Sequence, residues 1–209
     1  MKPIMAELTP IALLDRQQRL EAAQLIYASL PEFYQQFGIS TLTLFSSIAD
    51  QLCKKNNELE HGYALVHGAL VIGVYTAYPA EESKIRQIFS MLALQKTLTP
   101  EQRKTLHEKM GHSWHHFSQA PAGSYYLSRI AVGKLWRGQG LADQLLNHFS
   151  SAATDWKYLS LHVYANNLAA LAFYRRHGFV HQDQKGQEIY LLTRDLRHIQ
   201  TPTSPFPKT

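Results

Sequence analysis

Strands and helices alternate through the C-terminal part of this sequence, and the alternation predicts an α/β or α+β fold. A β-rich run over residues 125–132 is followed by a glycine-containing turn and by an amphipathic helix over 140–153. A strand over 158–164 and a helix over 168–177 come next. Strand, helix and strand in this order place parallel strands side by side in a sheet.

The N-terminal part is expected to contain one short strand and two helices. The strand lies within residues 1–10, and the first helix covers 15–30, with Pro31 ending it. The second helix covers 41–55. Both helices carry apolar residues on one face, which predicts that this face is buried.

A β-hairpin and two closing strands complete the sheet. Residues 63–66 and 69–78 are β-rich and are joined by His-Gly at 67–68, a signal for a tight turn. Short β-rich runs at 179–180 and 188–193 close the sheet near the end of the chain.

The middle of the chain, residues 81–111, is expected to be mostly helical. One helix begins at 99–101, where a threonine can cap the helix, a proline takes the first helical position and a glutamate the first turn.

Composition indicates one globular domain in a reducing compartment. The 209 residues are 45% hydrophobic and 18% charged, and the single cysteine, Cys53, excludes an internal disulfide. We expect a cytoplasmic protein without membrane partners, because no secretory signal and no run of roughly 18 apolar residues is found. The domain is expected over 1–200, with a helical N-terminal part over 10–60, a helical insertion at about 80–120 and a flexible proline-rich tail over 201–209.

Positive charge is concentrated towards the C-terminus. The chain carries 21 Lys and Arg against 16 Asp and Glu, a net charge of +5. Eleven residues of each sign precede residue 121, whereas ten basic and five acidic residues follow Ala120. This excess predicts an anionic ligand in the C-terminal part. No nucleic acid is expected, because the basic residues are scattered and form neither a run nor a helix face.

The turn at residues 136–142 joins the strand over 125–132 to the next helix. The first N–H groups of a helix lack partners and lie at the positive end of its dipole, so phosphate oxygens bind there without many cationic side chains. Gly138 and Gly140 lack the Cβ that would block close approach of a pyrophosphate.

Other interpretations of this turn fit less well or stay open. A Walker loop needs Gly-Lys-Ser/Thr, but Gly140 is followed by Leu141 and Ala142. A dinucleotide-binding turn needs a third glycine where Asp143 stands, and an acid at the end of the next strand. From the turn alone, glycines that merely permit a tight bend remain an alternative.

Two motifs in this region resemble the GCN5-related N-acetyltransferase (GNAT) superfamily. Its loop pattern is Gln/Arg-x-x-Gly-x-Gly/Ala, which Arg137, Gly140 and Ala142 match. Its second signature is an Asn followed at +3 by Ala and at +7 by Tyr, before Gly-Phe; here the matching residues are Asn167, Ala170, Tyr174, Gly178 and Phe179. The resemblance is good over about 125–193 and poor over the first 59 residues.

The resemblance implies a mixed, mostly antiparallel sheet with a central parallel strand pair, flanked by helices. It also implies acetyl-CoA as cosubstrate, with the parallel strands splayed so that the pantetheine arm lies between them like an extra strand. The residues implied to bind coenzyme A are Ile130, Ala131, Val132, Arg137, Gly138, Gln139, Gly140, Leu141, Ala142, Asn167, Ala170 and Phe173.

Tyr174 is the implied catalytic residue. Attack of an amine on a thioester expels a thiolate, and a phenol within hydrogen-bond reach can protonate it. The competing role is a core aromatic packed beside Phe173 and Phe179. Two roles stay open for Asn167: a ligand of the pantetheine amides, and the N-cap of the helix over 168–177.

No motif selects a general base or a metal site. Glu81, Glu82, Ser128 and Arg129 are candidates near the expected centre, and none of them is preferred. No metal is expected, because the histidine cluster at 112–116 has neither a third ligand nor a His-Glu-x-x-His pattern.

These motifs predict an N-acetyltransferase that moves an acetyl group from acetyl-CoA directly to a primary amine. The alternative is a non-catalytic acyl-CoA-binding regulatory module of the same fold, in which residues 79–123 fill the acceptor cleft. The acceptor is a small-molecule amine or a protein amine. The sequence leaves open which of these it is, and whether the protein forms a homodimer.

Overall fold

The computed structural model describes residues 5–36, 38–113, 118–182 and 188–197, without the side chains of 109–113. Its strands are β1 (Glu7–Pro10), β2 (Gly62–His67), β3 (Leu70–Pro79), β4 (Ser124–Val132), β5 (Tyr158–Tyr164), β6 (Val180–His181) and β7 (Ile189–Asp195). Its helices are α1 (Arg16–Ser29), α2 (Pro31–Gln35), α3 (Thr41–Gln51), α4 (Ser83–Gln95), α5 (Pro100–Ser113), α6 (Leu141–Ser151) and α7 (Leu168–Arg176). None of the helices in these described ranges is long and apolar enough to cross a membrane.

The described strands form one sheet in the order β1-β2-β3-β4-β5-β7-β6. All neighbours are antiparallel except β4 and β5, whose parallel pairing joins 124–126 to 158–160. Beyond that point β4 continues only against β3, as far as Val132, and β5 only against β7, as far as Tyr164. The predicted mixed, mostly antiparallel sheet with a central parallel pair is confirmed, and its two central strands separate.

A β-bulge on β4 stands where the two central strands begin to separate. Thr76 of β3 pairs with Arg129, and Ala77 pairs with Leu127, so Ser128 is the extra residue. A bulge bends its strand and re-aims the neighbouring side chains. Here it directs the second half of β4 away from β5.

Local sequence signals explain where several helices begin. The Asp15 carboxylate accepts from the Gln18 N–H at 2.8 Å, and the Gln18 side chain accepts from the Asp15 N–H at 3.1 Å. This reciprocal capping fixes the start of α1. Pro31 does more than end that helix, since it is the first residue of α2, where its missing N–H leaves no hydrogen bond unmade.

Two apolar clusters cover the two faces of the sheet. The first cluster joins α1, α3, α4 and α5 to one face of β2 and β3. The predicted helical insertion belongs here, because α4 and α5 bury Leu94 and Leu106 in this cluster. The second cluster packs α6 and α7 on the opposite face, with Leu145 and Phe149 fully buried. The opening between β4 and β5 therefore connects two separately packed layers.

Candidate functional site

The turn between β4 and α6 presents unpaired N–H groups. Gly138 and Gly140 both have a φ of +75°, in the left-handed region that other residues rarely adopt. Gly140 is the N-cap of α6, and no side chain caps the helix. Within α6, the first backbone N–H that donates to a backbone carbonyl is that of Gln144, which lies 3.0 Å from the Gly140 oxygen. The N–H groups of the first turn are left for a ligand.

The space and the charges around this turn fit a pyrophosphate. A Cβ at either glycine would meet no protein atom within 4 Å, so the front of the turn is open. Arg137 Nε donates to the Val132 carbonyl at 3.2 Å, which folds the turn against the end of β4. Asp143 is held by His177, whose Nε2 lies 2.8 Å from Asp143 Oδ1, so the acid ties α6 to the end of α7. An anion at this helix start gains from the dipole of α6.

A cavity of about 580 Å³ opens where β4 and β5 separate. The two strand edges form its centre, α1 and α2 line it on the side of the first cluster, and α7 lines it on the side of the second. The cavity therefore crosses the plane of the sheet. Its volume lies within the range of roughly 300–1,000 Å³ that is usual for small-molecule sites.

Most residues predicted to bind coenzyme A line this cavity. They are Ile130, Ala131, Val132, Arg137, Gly138, Ala142, Asn167, Ala170 and Phe173. Gln139, Gly140 and Leu141 do not line it. Leu141 is buried in the second cluster, so only its backbone N–H is available to a ligand. The Val132 carbonyl already accepts a hydrogen bond from Arg137. Fewer backbone groups of Val132 are therefore available to bind the pantetheine arm than the sequence predicted.

Tyr174 lines the cavity and also packs as a core aromatic. Its side chain is 7% exposed and meets Phe173 and Phe179 edge-on, with ring centroids 5.3 and 5.6 Å apart. Burial raises the pKa of its hydroxyl above the ordinary value, and the nearby Tyr126 adds to this shift. The phenol is protonated at neutral pH, as an ordinary tyrosine also is, and it can donate a hydrogen bond.

Asn167 is the N-cap of α7, as one of its two predicted roles requires. Its Oδ1 accepts from the Ala170 N–H at 3.1 Å, which fixes the start of the helix. The same side chain lines the cavity. Because the cap uses the oxygen, the amide nitrogen is left to donate to a ligand.

Tyr126 and His162 form a hydrogen-bonded pair across the gap between β4 and β5. The Tyr126 hydroxyl lies 3.0 Å from His162 Nδ1, and His162 Nε2 lies 2.9 Å from the Ser118 carbonyl. A carbonyl can only accept, so Nε2 carries the proton and Nδ1 accepts from the tyrosine. Burial lowers the pKa of His162 to about 4, and the ring is neutral at pH 7.

Arg129 and Glu58 bring opposite charges to the cavity without pairing. Arg129 Nη1 donates to the carbonyl and the hydroxyl of Ser128, at 2.7 and 3.0 Å. Glu58 accepts from the Tyr78 hydroxyl at 3.3 Å. Neither forms a salt bridge within 4.0 Å to any residue of the described ranges. Burial lowers the pKa of the Arg129 guanidinium, but Tyr34 and Glu58 outweigh burial and raise it above its ordinary value.

Three residues of this site, Glu58, Tyr126 and His162, were not among the candidates predicted from the sequence. Glu58 lies in an irregular segment between α3 and β2 that carries no motif, so nothing in the sequence marked it. The sequence does carry a signal for His162, because residues alternate between the two faces of a strand. In β5 it stands between Leu161 and Val163, whose side chains point to the opposite face. Glu81 and Glu82 do not line the cavity; they bind the Gly123 N–H and Arg86.

A metal site cannot be assembled from the described side chains, where no group of three His, Cys, Asp or Glu residues converges. The side chains of the histidine cluster at 112–116 lie outside the described set.

Comparisons with known proteins agree with this fold. Residues 99–179 match the sequence model of the Acetyltransferase (GNAT) family. No curated protein sequence is significantly similar to the chain. Among solved structures, an N-acetyltransferase from Staphylococcus aureus Mu50 is 20% identical with a TM-score of 0.66, over 90% of this chain and 100% of that chain.

Two further structures share the fold. One is an acetyltransferase that is 18% identical with a TM-score of 0.64, over 90% of this chain and 98% of that one. The other is PaiA N-acetyltransferase from Thermoplasma acidophilum in complex with coenzyme A, 12% identical with a TM-score of 0.52, over 91% of this chain and 99% of that one. Residues 99–179 thus match the GNAT family, and the chain as a whole shares its fold with these acetyltransferase structures.

Proposed function

We propose that this protein is an N-acetyltransferase that moves an acetyl group from acetyl-CoA directly to a primary amine. One observation carries the proposal: the cavity between β4 and β5 connects the turn at Gly138 with Tyr174 and continues to the layer of α1 and α2. A donor can thus enter from one face of the sheet and an acceptor from the other. The coenzyme A bound by the PaiA structure supports the choice of donor.

The chain's own groups have distinct binding roles in this proposal. The N–H groups of the turn at 137–142 hold the pyrophosphate at the start of α6. The unpaired edge of β4 bonds the amides of the pantetheine arm in the manner of a neighbouring strand. The Asn167 amide nitrogen adds a donor at the start of α7. Acetyl-CoA supplies the activated thioester that the acceptor amine attacks.

Tyr174 supplies the proton that the departing thiolate needs. Its buried phenol is protonated at neutral pH and lies in the wall of the cavity. A positioned general acid of this kind typically contributes about 10²- to 10⁴-fold to a rate.

The predicted alternative, a regulatory module whose acceptor cleft is filled, has less support. The segment that would fill the cleft contributes α4, and its Gln87 and Met91 line the cavity rather than close it. In the part of the chain that the structure describes the acceptor side is open, which favours an enzyme.

Thiol release from acetyl-CoA in the presence of a panel of primary amines tests the proposal. We expect thiol release with at least one amine, well above the rate without amine. Saturable binding of acetyl-CoA with no amine-dependent thiol release would instead support the regulatory module.

A further inference from the structure

The acceptor side of the cavity contains Arg129, on the face of β4 opposite to α7. Arg129 pairs with Thr76 and lies two residues before Ala131, which packs against the first cluster. Residues two apart on a strand share a face. The Arg129 side chain thus lies on the face of the sheet that α1 and α2 cover, whereas Tyr174 lies on the opposite face, in the second cluster.

Glu58 lies at the same end of the cavity. The Tyr78 hydroxyl donates to Glu58, and the charges of both Glu58 and Arg129 act on that hydroxyl. The charge of Glu58 acts on Arg129, although the two form no salt bridge. Both residues line the same cavity, so one small ligand in it can contact both.

The contacts of Arg129 include no carboxylate at salt-bridge distance in the described ranges. Nη1 donates only to neutral atoms of Ser128, and Nε is buried without a hydrogen-bond partner in the described part of the chain. The charged form is favoured, since Tyr34 and Glu58 raise the pKa of the guanidinium, but the buried Nε still lacks a hydrogen-bond acceptor, which a ligand can supply. The planar guanidinium matches a carboxylate, which accepts two parallel hydrogen bonds from it. The Glu58 carboxylate matches an ammonium.

We propose that the acceptor carries both an amine and a carboxylate, as a free amino acid does, with Arg129 binding its carboxylate and Glu58 binding its ammonium. This acceptor class rests on the proposed acetyl transfer. The two opposite charges, which form no salt bridge with each other, match the two charges of a zwitterion, and an amine without a carboxylate offers Arg129 no anion.

Glu58 then also accepts the proton that the amine must lose. The acceptor ammonium gives one proton to Glu58, and the nitrogen lone pair forms the bond to the thioester carbonyl carbon. The carbon–sulfur bond breaks with its electron pair on sulfur, and the thiolate takes a proton from Tyr174. The nitrogen loses its second proton as the amide forms; this restores the phenol through solvent, and Glu58 releases its proton to water. One N-acetyl amino acid, one thiol and one proton result.

Matched acceptors test this class directly. Each of the common amino acids is compared with its amide and with its decarboxylated amine, for example L-phenylalanine, L-phenylalaninamide and phenethylamine. The readout is kcat/KM for thiol release from acetyl-CoA. We expect at least one amino acid to exceed both of its analogues by roughly tenfold or more, because each analogue lacks the carboxylate that Arg129 binds.

Variants of Arg129 provide the second readout. In Arg129→Lys and Arg129→Met the ratio of kcat/KM for the amino acid to that for its decarboxylated amine should fall about tenfold or more. Arg16→Met, which removes an exposed arginine at the start of α1, should leave this ratio unchanged. Calorimetric titration with coenzyme A shows that each variant is folded and binds the donor.

The outcomes separate the acceptor class from the proposed function. If coenzyme A binds and amines lacking a carboxylate are acetylated as well as amino acids, or if no amino acid is acetylated, the zwitterionic acceptor is overturned while donor binding stands. An unchanged ratio in the Arg129 variants also overturns it. Absence of coenzyme A binding in the unaltered protein contradicts the proposed function itself.

Discussion

Burial shifts the pKa of two side chains in the cavity, Tyr174 and His162. It raises the pKa of the phenol, which stays protonated, and it lowers the pKa of the imidazole to about 4, which keeps the ring neutral. The two shifts have the same cause, because burial disfavours whichever form is charged. At the scale of single residues, the site therefore offers one proton donor and one fixed hydrogen-bonded bridge.

Replacing Tyr174 with Phe should lower turnover far more than donor affinity. The substitution keeps the ring that packs against Phe173 and Phe179 and removes only the proton donor. We expect kcat to fall about 10²-fold or more, with the dissociation constant for coenzyme A changed by less than about twofold. Steady-state thiol release and calorimetric titration measure the two quantities. Tyr158→Phe, which alters a tyrosine outside the cavity lining, is the matched control, and equal turnover in both variants would exclude Tyr174 as the general acid.

His162 should make the protein less stable in mild acid. Its pKa is about 4 in the folded chain against an ordinary 6.5, so between these values the unfolded chain binds a proton that the folded chain does not. The resulting loss of unfolding free energy is absent well above pH 6.5 and increases by about 1.4 kcal/mol for each pH unit below it. It approaches about 3 kcal/mol near pH 4.

Urea unfolding at pH 7 and pH 4.5 measures this loss. The His162→Gln variant should lose less stability over the interval than the unaltered protein does. His107→Gln, a change at an exposed histidine, should not alter the difference. The same pH dependence in all three proteins would mean that His162 is not the group responsible.

At the scale of elements, the start of α6 is the proposed anion site. Gly140→Ala places a Cβ on a residue with a φ of +75°, a conformation that costs an alanine about 1 kcal/mol or more. Shifting this residue should misplace the N–H groups of the turn and weaken coenzyme A binding by roughly tenfold, a free-energy change of about 1.4 kcal/mol. Gly38→Ala imposes a similar strain at a φ of +63° outside the cavity lining, so it should lower stability without lowering affinity. Equal affinities in the two variants would argue against this site.

The start of α7 allows the two roles of Asn167 to be separated. Asn167→Ala removes the cap and should cost about 1 kcal/mol of unfolding free energy. Asn167→Asp keeps an oxygen that can accept from the Ala170 N–H, so it should recover most of that stability. It removes the amide nitrogen, however, and should still bind coenzyme A more weakly than the unaltered protein. If Asn167→Asp bound coenzyme A as tightly as the unaltered protein, Asn167 would act only as the helix cap and not as a ligand of coenzyme A.

The elements that the sequence predicted best carry local signals. The strand predicted over 158–164 has those same bounds as β5, because its alternation and its polar flanks are local properties. The two motifs also carry local signals, since one lies in the turn before α6 and the other begins at the N-cap of α7. The start of α2 at Pro31 was missed, because a proline that ends one helix is also well suited to begin the next.

At the scale of the whole molecule, the cavity depends on contacts that no local pattern encodes. Glu58 reaches the site from the segment before β2, and Arg129 faces it because the bulge at Ser128 sets the register of β4. Both depend on how distant segments pack together, so the sequence left the acceptor side unassigned. The separation of β4 from β5, by contrast, was implied by the family resemblance, and it joins the two layers of the fold into one site.

Calorimetric titration of the unaltered protein with coenzyme A is the most direct test of the central claim, that the turn before α6 and the gap between β4 and β5 form one binding site. We expect saturable binding to one site per chain, weakened by Gly140→Ala and unaffected by Gly38→Ala. A flat titration at millimolar coenzyme A, from protein shown to be folded, would contradict the claim.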